Sequence, residues 1–249
     1  MFRRQRPPLR YFVYVSDIKL DMLFEQIDPA QRRRIAAEAK VDLKLASLTL
    51  RRAEPSPAAR MAKLRVVERY IDAHHLVGTT AAPGRQYFRG RLDMQWGFLA
   101  RNQDAQPEDR LPVVFFRGWQ GRDFVALAGS RSHVLGQYPA DDRANAEFGF
   151  SSAPSIVAVL RAHISDLEGT PQYPAWGERD ERTLQTGTPL EEEYRWHLSN
   201  AASIFRLDAP SQPLEFLAVP LGESPQVSHP GGGHGHGVLG TPIYIAHAY

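Results

Sequence analysis

The sequence predicts an α+β fold: a mostly antiparallel sheet with helices packed on one side. Three observations carry this reading. Segments 41–50, 87–99, 111–119, 124–135, 214–221 and 238–247 are apolar runs or alternate with a period of two, as strands do. The three middle strands are separated by polar or glycine-containing turns such as 102–110 and Gln120-Gly121, which suits an antiparallel meander better than helical crossovers. Capping residues precede apolar stripes of helical spacing at Ser16-Asp17, Asp28-Pro29, Ser56-Pro57 and Thr188-Pro189.

Taken in order, Tyr11-Phe-Val-Tyr-Val15 is aromatic and β-branched and reads as a buried strand. Ser16 and Asp17 supply cap oxygens for a helix whose expected buried face carries Ile18, Met22, Leu23 and Ile27. Asp28-Pro29-Ala30-Gln31 opens a second helix, with proline at the position that lacks a partner for its missing N–H. Near Lys40 the period drops to two, giving the strand at 41–50. Ser56-Pro57 starts a third helix with Met61, Leu64, Val67 and Ile71 as its stripe. In the strand at 87–99, Phe88, Leu92, Met94 and Trp96 form the core face, and Tyr87, Arg89, Arg91, Asp93 and Gln95 the polar one. After 124–135 comes a helix at 154–167, a polar loop at 169–187, and a helix opened by the capping box Thr188-Pro189-Leu190-Glu191. Two strands close the chain around a glycine- and histidine-rich loop at 228–237. With no repeat, and a last strand pair too small to stand alone, residues 1–249 are expected to form a single α+β domain.

Composition narrows the function. The chain of 249 residues is long enough to bury a core without a metal or disulfide. It has no cysteine, which excludes disulfides, thiolate nucleophiles and cysteine-ligated metals. No apolar run approaches the roughly 18 residues of a membrane span, and the basic start MFRRQRPPLR lacks a long apolar stretch after it. A cytoplasmic location without membrane contact is expected. Arginines cluster at Arg3, Arg4, Arg6 and Arg10 and at Arg32, Arg33 and Arg34, but a net charge of +2 is too small for a dedicated nucleic-acid binder.

The segments YFVYVSDIKLDMLFEQI, YFRGRLDMQWG, VALAGSRSHVLG and LEFLAVPL with VLGTPIYIA resemble an uncharacterised bacterial family of unknown function found mainly in high-GC bacteria. The resemblance covers most of the chain. It implies a cytoplasmic single-domain protein in a signalling or conflict setting, and it carries no activity and no catalytic residues.

Candidate chemistry must therefore come from the residues. Phosphate-loop, HExxH and GxSxG patterns are absent. At the strand-to-helix junction Ser16, Asp17 and Lys19 offer free backbone N–H groups and a positive charge to an anion, weighed against an ordinary cap with solvated first-turn side chains. Arg89 and Arg91 share a strand face and are able to grip an anion, weighed against a solvated sheet face. Convergence of these two groups is the expected ligand site. In Gly129-Ser130-Arg131-Ser132-His133, a continuous strand would put Ser130 and His133 on opposite faces, against a nucleophile–base pair. His229, His234 and His236, with His247, have metal-ligand types, but the glycines around them suit a flexible loop. No catalytic residue, metal or cofactor is assigned. The preferred function is a non-catalytic binding or sensing module for a small anionic ligand or a partner protein in bacterial signalling or defence. Its alternatives are a hydrolase or nucleotide-processing enzyme around Lys19, Asp21, Arg89 and Arg91, and a metal-binding protein using the C-terminal histidines. Nothing in the sequence speaks to oligomeric state.

Overall fold

The computed structural model describes residues 9–39, 56–100, 110–136, 207, 209–229 and 231–248. The expected strand at 41–50, the helices at 154–167 and from Thr188, and the loop at 169–187 lie outside the described residues. Strand β1 (Phe12–Val15) leads into α1 (Asp17–Gln26), where the Ser16 hydroxyl accepts from the Lys19 N–H at 3.4 Å. In α2 (Pro29–Ala39) the cap is Asp28, whose Oδ1 accepts from the Ala30 N–H at 2.8 Å. In α3 (Pro57–His74) it is Ser56, which accepts from the Ala59 N–H at 3.2 Å. Each cap satisfies a donor that the helix itself cannot. Ser56→Ala should therefore lower the unfolding free energy by about 1 kcal/mol in urea titrations, with the slope unchanged.

The remaining strands are β2 (Val77–Gly78), β3 (Tyr87–Ala100), β4 (Arg110–Gln120), β5 (Asp123–Ser130), β6 (Gln212–Ser228) and β7 (His234–His247). Most neighbours pair antiparallel, but the order corrects the expected mostly antiparallel sheet with helices on one side: the sheet is mixed and closes on itself. Strand β6 pairs with β3 on one side and β7 on the other, so β3, β4, β5, β7 and β6 close into a five-stranded barrel. A ring with an odd number of strands cannot alternate direction all the way round, so one neighbouring pair has to run parallel. That pair is β5 and β7, with Val125 opposite Val238. The edge of β7 beyond β5 carries β1, antiparallel, and β2 adds in parallel to the start of β3. Helices on the outer face and a mixed, barrel-like sheet make this an α+β fold.

Strand β6 closes the ring by bending. Its ladder with β7 shifts register at Leu217/Ala218, Pro220/Gly222 and Ser224/Val227. Prolines stand at all three places: Pro242 faces the first shift, Pro220 opens the second, and Pro225 lies inside the third. Proline has no N–H for a ladder, so it sits where a bulge has already removed the need for one. The expected flexible loop at 228–237 is mostly strand and tight turn. His229 N–H donates to the Gly233 carbonyl, and the positive φ of Gly232 and Gly233 lets the chain reverse there.

Alternation divides the core into two. Phe88, Leu92, Met94, Phe116, Phe216 and Ile245 fill the barrel. Leu217 and Tyr244, next to Phe216 and Ile245, point outward and meet Leu20, Phe24, Leu64 and Ile71 from the helices. Helix α1 buries Leu20 and Phe24. Of the expected face, Ile27 is buried at the C-cap and Leu23 packs against the same core, but Ile18 and Met22 are 43% and 60% exposed, so that half of the face is wrong. Its orientation is fixed from outside the helix: Asp17 and Asp21 pair with Arg60 and Lys63 of α3, which turns the 20–24–27 stripe onto the sheet. Among the described residues no helix is long and apolar enough to cross a membrane.

Candidate functional site

A cleft of about 280 Å³ opens where the start of β1, the first turn of α3 and the segment after β5 meet. Arg10, Tyr11, Phe12, Pro57, Arg60, Met61, Leu135 and Gly136 line it. Three local features build it. The Ser56-Pro57 cap starts α3 so that Arg60 and Met61 fall in its first turns. Strand β5 stops at Ser130 and a 3₁₀ turn over Arg131–His133 redirects the chain. The Leu135 N–H then donates to the Val13 carbonyl at 2.9 Å, which holds this segment along β1.

Both arginines of the cleft are held by carboxylates. Arg60 Nε and Nη2 donate to the two Asp17 oxygens at 2.6 and 2.7 Å, a bidentate pair whose arginine side chain is only 10% exposed. Arg10 Nη1 donates to Glu68 Oε1 at 2.8 Å, and its Nε lies 3.0 Å from Glu215 Oε1. Tyr244 OH also donates to Glu68, at 2.9 Å, and the Arg10 guanidinium sits 5.6 Å from the Tyr244 ring centre. Burial alone lowers the Arg10 pKa, but Glu68, Tyr244 and Glu215 outweigh it and hold the group above its ordinary value. Burial also raises the Tyr244 phenol, and the Glu68 carboxylate adds to this. Phe12, Met61 and Leu135 add apolar lining to the two arginines.

The residues expected to converge do not come together. Asp17 joins the cleft indirectly, by orienting Arg60. Ser16 is fully buried as the α1 cap. Lys19 lies between Asp17 and Asp21, both anchored near the start of α3, whereas Arg89 pairs with Asp72 near its end. Twelve residues from Arg60 to Asp72 span roughly 18 Å of helix, so the lysine and the arginine belong to opposite ends of α3. Arg91 Nη2 donates to the Ala248 carbonyl at 3.2 Å. The Lys19 ammonium nitrogen is buried without a hydrogen-bond partner, and burial pushes its pKa down to about 8. Sequence reasoning missed Arg10, Arg60, Met61 and Leu135. Of these only Arg60 carried a local signal, its place in the capped first turn of α3.

The serine–histidine segment also differs from expectation. Because β5 ends at Ser130 and a 3₁₀ turn follows, residues three apart fall on one side, and both Ser130 and His133 are buried. His133 Nδ1 stands 3.4 Å from the phenol oxygen of Tyr14, and Ser130 Oγ lies 2.8 Å from Ser132 Oγ. Tyr14 is fully buried, and burial raises its phenol far above its usual value although Ser16 and the Ser130 backbone hydrogen-bond to it. Tyr14 belongs to the barrel core cluster, so this node is packed into the interior. The histidines of the β6–β7 hairpin separate: His229 packs edge-on against Trp119 with ring centres 4.7 Å apart, and His236 Nε2 meets Glu223 Oε2 at 3.1 Å. Among the described residues no group of three or more histidine or carboxylate side chains is placed to hold a metal.

Residues 10–249 match the model of a family of unknown function, DUF7019. The chain belongs to DUF7019. No curated protein and no solved structure matches it. The DUF7019 match agrees with the resemblance to an uncharacterised family, and because it starts at Arg10 it takes in every residue lining the cleft.

Proposed function

We propose that this DUF7019 chain is a non-catalytic binding or sensing module that holds a small anionic ligand in the cleft between β1 and α3. One observation carries the reading: two arginines, each fixed in direction by a carboxylate, line one cleft together with the apolar Phe12, Met61 and Leu135. An arginine so held has already lost its rotamer freedom, so a ligand meets donors that need no further ordering. Each keeps N–H groups beyond those its carboxylate engages, since a guanidinium has five. Ser16 and Asp17 remain in the reading as the frame that sets Arg60. Arg10 and Arg60 take the part expected of Arg89 and Arg91, which do not line the cleft. The bacterial signalling or defence setting rests on the sequence resemblance alone.

The test is a thermal-shift panel of small organic carboxylates and phosphates at millimolar concentration, with each compound analysed by mass spectrometry afterwards. At least one should raise the melting temperature of the wild type, fail to do so for Arg60→Met, and be recovered unchanged. A compound consumed during the incubation would favour an enzyme. A panel without any shift would remove the cleft as a site.

A further inference from the structure

The cleft's chemistry points beyond "small anion" to a narrower class, an inference that rests on the cleft reading above. We infer that it takes a monoanionic carboxylate carried on an apolar body about the size of one aromatic ring, and that it discriminates against phosphate. Charge is the first argument. Two arginines, Arg10 and Arg60, are flanked by three carboxylates, Asp17, Glu68 and Glu215. The neighbourhood is one negative charge in excess, so its attraction for an anion comes from directed N–H groups and not from net field. A phosphate monoester carries close to two charges at neutral pH, which doubles both its attraction to the arginines and its repulsion from the acids, and so doubles the net penalty set by the one-charge excess.

Donor geometry is the second argument. Asp17 occupies the Nε and Nη2 side of Arg60, which leaves Nη1 and the outer N–H of Nη2 as a second, end-on fork. Two parallel donors match the two oxygens of a planar carboxylate. Glu68 takes Arg10 Nη1 through both of its oxygens, at 2.8 and 3.1 Å, and leaves Nη2 as a further donor. Size is the third. A cleft of about 280 Å³ is roughly twice the apolar cavity of about 150 Å³ that accommodates benzene, so it has room for one ring with its carboxylate. Phe12, Met61 and Leu135 supply the apolar contact for that ring.

Isothermal titration calorimetry on the full chain at pH 7.5 with phenylacetate, acetate, phenyl phosphate and inorganic phosphate separates the terms. Phenylacetate should bind at least about tenfold more tightly than the other three. Arg60→Lys, which keeps the charge and the partner for Asp17 but loses the fork, should weaken phenylacetate binding by at least about tenfold while its circular dichroism stays native. Phenyl phosphate binding as tightly as phenylacetate, or acetate doing so, would overturn the ligand class and leave the cleft intact. Full affinity in Arg60→Lys would overturn the fork. No binding by any of the four, or equal phenylacetate binding by wild type and Arg60→Met, would remove the cleft reading together with this one.

Discussion

Replacing Lys19 with methionine is expected to stabilise the protein at pH 7 by about 2 kcal/mol. The amine is buried, lacks a hydrogen-bond partner, and sits in the first turn of α1, where the helix dipole also disfavours a cation. In the folded state it releases its proton near pH 8, against 10.5 in the unfolded chain. Between those values the unfolded state binds more protons, so stability should climb as pH rises from about 8 to 10.5 and be lowest below 8. At about 1.4 kcal/mol per pH unit the gap corresponds to roughly 3 kcal/mol, and partial exposure of the side chain trims this to about 2. Methionine keeps the apolar stem and removes the charge. Urea denaturation of both proteins from pH 7 to 11 should show two curves that meet at the alkaline end. Parallel curves across that range would mean that the amine is solvated.

The other large effect concerns barrel closure. A Cβ on Gly240 would lie 2.8 Å from Phe88 Cε1 and 3.1 Å from Leu127 Cδ2, because the β7 backbone passes directly over the Phe88 ring inside the barrel. Phe88 in turn packs edge-on against Phe216, with ring centres 5.3 Å apart, so it has little room to retreat. Gly240→Ala should cost about 2–3 kcal/mol through overpacking. Phe88→Leu leaves space at that spot, so the double variant should lose less than the sum of the two single losses. Strictly additive losses would place Gly240 away from the Phe88 ring and contradict the closed ring.

Local physics was readable, and connectivity was not. The caps at Ser16, Asp28 and Ser56 and the Phe88–Leu92–Met94 core face follow from short-range spacing, and the structure has them. Closure of the ring depends on β6 finding β3, more than 110 positions earlier, and no local pattern encodes that pairing. The parallel β5–β7 contact follows only once the strand number is known. The fate of His133 turned on a single event, the end of β5 at Ser130, which an apolar run through Val134 and Leu135 concealed. The cleft is harder still, since it draws on positions 10–12, 57–61 and 135–136, and the ion pair that orients it joins Asp17 to Arg60. Asp17 was named for its place at a helix start; its partner lies 43 residues away in the chain.

The central claim, that ligand binding happens at this cleft, is tested most directly by mapping phenylacetate onto the amide resonances of the nitrogen-15-labelled protein. Saturating titration should shift the amides of Tyr11, Phe12, Arg60, Met61, Leu135 and Gly136, which come from three separate segments, and leave those of Arg89 and Arg91 in place. Shifts centred on Arg89 and Arg91, or scattered without reference to the cleft, would contradict it.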